Sequence, residues 1–221
     1  MSKVIDLTHI LDPKKAQRKF EVETIGADEV NHNVVRMEGQ WYIMSDIHMV
    51  SHIGTHIEVP YHLFKDAYDL ATMPIDAYYG EGCVLDFSKI QKRVPITLEM
   101  AKEAAKKAGG IHEGDIVLCN LGYADRYGTP EYSESPYFST EAIEFLATSG
   151  MKLMGVDAGG VEIPMSEEHV NHAALFSRNI PLIENVAHLN DLSGGRFTAY
   201  AFPIPIAGVE SFPVRVVAFE D

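Results

Sequence analysis

The chain has 221 residues, 46% of them hydrophobic and 23% charged, which suits an ordinary globular core in one domain spanning residues 1–221. Its 18 Lys+Arg against 32 Asp+Glu give a formal charge of -14, so most of the surface repels a polyanion and nucleic acid is not an expected partner. The opening "MSKVIDLTHILDPKK" lacks an apolar signal core and nothing approaches the ~20 apolar residues of a membrane span, so the expected address is the cytoplasm, with no membrane association.

In chain order, "KVIDLTH" reads as a first strand and "QWYIMSDIHMVSHIGTHIEV" as a long second one. Further strands are expected at "GCVLDF", "DIVLCNL", "KLMGVD", "IPLIENV", "TAYAFPIPI" and "PVRVVAFE", all rich in β-branched and aromatic residues. Cys83 and Cys119 fall inside two of these strands and read as buried thiols, because two isolated cysteines make no disulfide framework. Three segments read as helices. "TLEMAKEAAKKAGG" opens on Thr97 and stops at Gly109, "STEAIEFLATSG" opens on Ser139, and "SEEHVNHAALFSRN" opens on Ser166 with Glu167 and Glu168 in its first turn. Helices inserted among strands argue an α/β fold with a mixed sheet and flanking helices.

The stretch "SHIGTHIEVPYHLF" concentrates His52, His56, Glu58 and His62. Read as a strand it alternates with period two, so these residues share one polar face while Ile53, Thr55, Ile57 and Val59 form an apolar one. Thr55 is therefore structural. A straight strand would hold His52 and His56 ~13 Å apart, too far for two ligand bonds of ~2 Å. The chain must bend, and Gly54 is the residue that permits it. Pro60 can then turn His62 back toward the same place. His48 is in phase but precedes the cluster and reads as structural.

A second group lies in "HVNHAALFSRNIPLIENVAHL". Glu184 inside an apolar strand is costly unless paired with a cation or metal, and His172 lies mid-helix. From the residues alone, the pair fits either a second half of the site or a satisfied helix histidine with a surface charge. His112, His169 and His188 read as ordinary surface or core histidines.

At this point "HIGTHIEVPYH" resembles the HxGTHxDxPxH signature of the cyclase family of metal-dependent hydrolases, which includes bacterial kynurenine formamidase and isatin hydrolase. "VIDLTHILDP", "VLCNLGYADRYG", "NHAALFSRNIPLIENVAHL" and "PIPIAGVESFPVRVVA" resemble other segments of that family, and residues 11–45 are least similar. The resemblance implies a single compact domain related to the swivelling β/β/α fold, assembled as a homodimer or homotetramer. It also implies one or two divalent metals per chain, with His52, His56 and Glu58 as first-site ligands. His172 and Glu184 would complete the second site, and His62 would be the catalytic histidine. The donor set of imidazoles and carboxylates suits zinc first and manganese second.

The implied chemistry is hydrolysis of a carbon–nitrogen bond in a small-molecule amide or cyclic amide. A kynurenine formamidase proper, or a non-catalytic metal- or ligand-binding module, is the alternative. Asp157, closing "KLMGVD", is either an orienter behind the site or a loop cap. Trp41 is either core or pocket wall. Two features depart from the family: Glu58 stands where it has aspartate, and "QRKFEVE" brings Arg18 and Lys19 where an apolar, aromatic loop is expected. A cation entering the pocket would favour a substrate bearing a carboxylate, with N-formylkynurenine a poor or secondary substrate.

Overall fold

The first strand, β1 (Lys3–Asp6), is followed by a ribbon of β2 (Phe20–Gly26) and β3 (Ile43–Met49) with a short helix α1 (Ala27–Val30) between them. Next come β4 (His56–Glu58), β5 (Tyr79–Asp86), β6 (Pro95–Ile96), α2 (Leu98–Lys107) and β7 (Ile116–Asn120). β8 (Tyr137–Phe138), α3 (Thr140–Ala147), β9 (Leu153–Val156), α4 (Val170–Phe176) and β10 (Leu182–Glu184) follow, and β11 (Phe197–Tyr200), β12 (Ser211–Pro213) and β13 (Val217–Glu220) close the chain. These coordinates are a computed structural model that describes residues 2–220.

Nine strands form one mixed sheet in the order β1-β13-β11-β5-β7-β9-β10-β4-β12. The centre, β5-β7-β9-β10, is parallel and the two wings are antiparallel. β7 reads "IVLCN" and is buried at every residue, as a parallel strand covered on both faces must be. On one face Leu85, Val117, Met154 and Leu182 pack against Ala101, Ile143, Leu146 and Phe176 of the helices. On the other, Ile116, Leu118 and Ile183 pack with Ile57, Val59, Phe197 and Val216 as the sheet curls over itself. Cys83 and Cys119 are free and buried. Among the described residues, no helix is long and apolar enough to cross a membrane.

Thr97 and Ser139 cap α2 and α3 through their hydroxyls, as the sequence predicts. The third helix differs, for α4 starts at Val170 rather than after Ser166. The Ser166 hydroxyl instead accepts from the Glu168 N–H in a local turn, and Glu167 and Glu168 lie outside the helix. The long second strand also divides. Residues 50–55 form bends between β3 and β4, and Gly54 turns the chain at φ 62°, in the left-handed region that glycine tolerates.

The β2–β3 ribbon stands away from the sheet. Its register pairs Phe20, Val22 and Thr24 with Met49, Ile47 and Ser45 on one face, while the other carries Glu21, Glu23, Asp46 and His48. Trp41, beside this ribbon, is 82% exposed, so within one chain it is neither core nor pocket wall. β2 itself was not expected; "FEVETIG" carries Glu21 and Glu23 among few strongly apolar residues, and it pairs in a two-stranded sheet of its own with β3.

Candidate metal centre

Strand β4 turns His56 and Glu58, two residues apart, to the same side, and both side chains are buried. β10 pairs antiparallel with β4 in a register that sets Glu184 opposite His56, so Glu184 arrives on that side from the neighbouring strand. His172 comes from α4, packed over the same end of the sheet. His52 reaches in through the bend at Gly54. His62 returns through a one-turn 3-10 segment, Pro60–His62, in which the His62 N–H donates to the Val59 carbonyl. The polar face read from the sequence is thus assembled, though only His56 and Glu58 reach it as strand neighbours.

The separations suit ligands sharing one ion. His56 Nε2 stands 3.4 Å from Glu58 Oε1 and 3.4 Å from Glu184 Oε2. His172 Nε2 stands 3.3 Å from Glu58 Oε2 and 3.7 Å from Glu184 Oε1. Two donors on a tetrahedral ion with bonds of ~2.0 Å lie ~3.3 Å apart. Among the described residues, His56 Nε2 and Glu58 Oε2 are buried with no hydrogen-bond partner, an expensive state for such groups unless a cation occupies the space between them. These residues fit a divalent metal. His52 is held differently: its Nδ1 hydrogen-bonds Glu58 Oε1 directly at 2.6 Å, and its Nε2 meets Glu210 Oε1 at 3.1 Å. His52 would have to exchange the Glu58 bond for a metal bond to serve as a ligand.

The charge balance points the same way. Burial alone would push the His56 imidazole down, but Glu184 and Glu58 override it and raise its pKa to about 10. Burial likewise opposes the charge on His172, whose pKa Glu162, Glu184 and Glu58 raise to about 11. Burial works against the Glu58 carboxylate, yet His172, His52 and His56 hold it well below the usual range. Burial and Glu58 both act against ionised Glu184, and His172 and His56 still hold it low. Without metal, protons on the imidazoles supply the positive charge that the carboxylates demand.

His62 is exposed beside this cluster, its ring 4.5 Å from that of His52 and 6.1 Å from that of His172. Partial burial, with His52 and His172 nearby, outweighs Glu58 and Glu210 and holds its imidazole below the usual range. His62 is therefore neutral at pH 7 and able to accept a proton. Its ligand-capable atoms also group with those of His52 and Glu210 within 4.8 Å.

Sequence reasoning missed three groups around the centre. Glu162 accepts from His172 Nδ1 at 2.8 Å. Glu210 accepts from the Ser51 hydroxyl at 2.5 Å as well as meeting His52. Asn185, at φ 57°, donates from Nδ2 to the Gly54 carbonyl, the same oxygen that receives His56 Nδ1–H. The signal for Asn185 was its place beside Glu184 in "IENV"; the two glutamates had none, since each sits alone in an irregular loop with no periodicity to assign its side chain to a face.

Other expectations resolve plainly. Thr55 is structural, donating to the Asn185 carbonyl and accepting from the His9 N–H. Asp157 caps a loop, accepting from Leu121, Tyr123 and Ala124. His48 sits exposed on the ribbon, 3.4 Å from Asp46. Arg18 is exposed but donates to the His52 carbonyl at 2.7 Å, at the rim of the centre, whereas Lys19 faces Glu21. A cavity of about 580 Å³ opens next to the centre, walled by Gln17, Tyr132, Gly160, Glu162 and Ile163. Gly160 brings backbone so near that a Cβ there would lie 3.3 Å from Glu184 Oε1.

Buried histidines and glutamates gathered at one end of a mixed sheet, beside an open cavity and an off-centre histidine, define a metal-dependent hydrolase. The family described as "Putative cyclase" matches residues 5–163, and the chain belongs to it; His172 and Glu184 lie beyond the matched segment. A kynurenine formamidase of Bacillus cereus is 27% identical over 169 residues, 76% of either chain. One of Erythrobacter litoralis is 28% identical over 181 residues, 78% of this chain and 74% of the other. Isatin hydrolase A from Labrenzia aggregata shares the fold, with a TM-score of 0.83 at 24% identity over 99% of this chain and 94% of that one. A Bacillus stearothermophilus protein described as a predicted metal-dependent hydrolase has a TM-score of 0.76 at 25% identity and full coverage of both chains.

Proposed function

We propose that this cyclase-family hydrolase cleaves a carbon–nitrogen bond in a small amide or cyclic amide, with His52, His56, Glu58, His172 and Glu184 holding the metal and His62 moving the proton. The observation that carries this reading is the orphaned pair His56 Nε2 and Glu58 Oε2, set among donors at metal-sharing distances beside the cavity. Zinc is the first choice and manganese the second, at one or two ions per chain. When bound, the metal supplies a Lewis acid and a water acidified toward pKa ~7.

The protein's own groups do the rest. Neutral His62 takes a proton at its free ring nitrogen and returns it to the leaving nitrogen, which would otherwise depart as an amide anion. The cavity wall of Tyr132, Ile163 and the Gly159–Gly160 backbone orients the substrate against the centre. Arg18 keeps guanidinium N–H groups free beside the one on the His52 carbonyl, which supports a substrate carrying a carboxylate at the rim. A kynurenine formamidase proper is the second reading, favoured by the names of the relatives above. Steady-state rates on N-formylkynurenine, isatin and small carboxylated cyclic amides separate the two. The first reading expects the cyclic carboxylated amides to turn over fastest, and N-formylkynurenine far ahead of every other substrate would overturn it.

Assembly as a homo-oligomer, dimer or tetramer, belongs to the same proposal. A lone two-stranded ribbon is marginal in water, yet this one leaves Val22, Ile47, Trp41 and Tyr42 exposed. A second copy of the chain covering that face accounts for them. Analytical ultracentrifugation should show a dimer or larger that Ile47→Lys dissociates, and a monomeric parent would refute it. A cytoplasmic address completes the proposal.

A further inference from the structure

We propose that Glu162 is a positioning residue for the metal centre: it fixes the tautomer and orientation of His172 so that Nε2 faces Glu58 and Glu184. The argument begins with the main chain. Glu162 Oε1 accepts the His172 backbone N–H at 2.8 Å and Oε2 accepts that of Asn171 at 3.3 Å, so both carboxylate oxygens are pinned by groups that can only donate. The same Oε1 faces His172 Nδ1 at 2.8 Å. Two lone pairs would repel there, so Nδ1 carries hydrogen, and Nε2 is the nitrogen whose lone pair becomes available to a metal once its own proton leaves. Asn171 keeps the carboxylate in place, since its Nδ2 donates to the carbonyl of Val161, the residue before Glu162, at 2.7 Å.

The other imidazoles are backed differently. His56 Nδ1 donates to the neutral Gly54 carbonyl, and Glu210, which backs His52, is shared with Ser51. His172 is thus the imidazole whose outer partner is a carboxylate locked by two backbone donors. An outer carboxylate both orients an imidazole ligand and makes it a better donor, and losing one typically weakens metal binding by 10- to 100-fold. Glu162 also walls the cavity, so the lock lies between the substrate side and the centre. One rival role must be separated: the ligand-capable atoms of Glu162, His169 and His172 lie within 4.8 Å of one another, which would also suit direct ligation.

This inference rests on His172 being a ligand, and the test keeps the two apart. Zinc affinity is measured by competition with a chromophoric chelator for the parent protein, Glu162→Ala, Glu162→Gln, His169→Ala and His172→Ala, alongside the melting temperature of each metal-free form. Glutamine can set its amide oxygen where Oε1 stands, accepting from the His172 N–H and Nδ1–H, and so keeps the tautomer while losing the charge and the longer bond from the Asn171 N–H. Glu162→Ala should bind zinc about 10- to 100-fold more weakly, Glu162→Gln should fall between it and the parent, and His169→Ala should match the parent. Glu162→Ala within twofold of the parent, with only a lowered metal-free melting temperature, would reduce Glu162 to a cap on α4 and overturn the inference. Equal losses in Glu162→Ala, Glu162→Gln and His169→Ala would make Glu162 a ligand and overturn it as well. If Glu162→Ala does not fold, Glu162→Gln decides: parental affinity refutes the role, and a severalfold loss with an unchanged metal-free melting temperature sustains it. Should His172→Ala retain parental affinity, the ligand set itself fails; if His172→Ala loses zinc while the Glu162 variants do not, only this inference does.

Discussion

Zinc binding should expel close to two protons per chain at pH 6.5. The perturbation is addition of Zn²⁺ to metal-free protein. In that state His56 and His172 have pKa values raised to about 10 and about 11, because their carboxylate neighbours override the burial that would lower them. Both are imidazolium at pH 6.5, and each must surrender its Nε2 proton to coordinate. Glu58 and Glu184, held below their ordinary values, are already ionised and release nothing. Two displaced protons, tenfold each, make the apparent affinity rise about a hundredfold per pH unit between roughly pH 6 and 8.5. The same shifts set the sign for stability. Folded pKa values above the unfolded ~6.5 contribute fully below pH ~6.5, and the contribution is lost as pH rises through the folded values. Metal-free protein should therefore melt at a lower temperature at pH 9.5 than at pH 7, a loss the metal-loaded protein escapes. Calorimetric titration at pH 6.5 in two buffers of different ionisation enthalpy counts the protons, and a zinc-bound water of pKa ~7 adds only a fraction of one there. Release of less than one proton would refute the assignment of His56 and His172 as ligands.

His62→Ala should keep metal content near parental and lower kcat by roughly 10²- to 10⁴-fold; elemental analysis showing metal loss equal to that of His56→Ala would make His62 a ligand instead. Arg18→Ala should raise KM on carboxylated substrates by roughly tenfold, the worth of one charge-assisted hydrogen bond, while leaving isatin unchanged, and equal effects on both would remove Arg18 from substrate recognition. Asp115→Ala should cost about 3 kcal/mol, read from denaturant unfolding. It breaks the two-pronged pair of buried Asp115 with Arg196 and also frees the His112 N–H, so a change below about 1 kcal/mol would contradict the geometry.

Much of the centre was legible where the code is local. Thr97 and Ser139 mark helix starts because a hydroxyl reaches the N–H three residues on. His56 and Glu58 share a face because strand side chains alternate, and Gly54 bends the chain because it alone there tolerates φ 62°. Ser166 misled because a serine caps a turn as readily as a helix, and only packing decides which. Trp41 misled because a large apolar side chain counts as core unless one knows that its segment leaves the main sheet.

By itself, then, the sequence determined the kind of chemistry: three histidines and a carboxylate around a glycine and a proline, an acidic chain whose surface repels polyanions, and strands alternating with capped helices. The tertiary structure decided which distant groups join them. Glu184 enters because the antiparallel register of β10 on β4 sets it opposite His56. Glu162 enters because the loop just before α4 folds back to within hydrogen-bond reach of His172, and Glu210 because a loop far along the chain reaches His52. The reason is physical. A carboxylate in an irregular loop carries the same local pattern whether water or a buried imidazole neutralises it, and only the folded chain, by excluding the water, makes the difference.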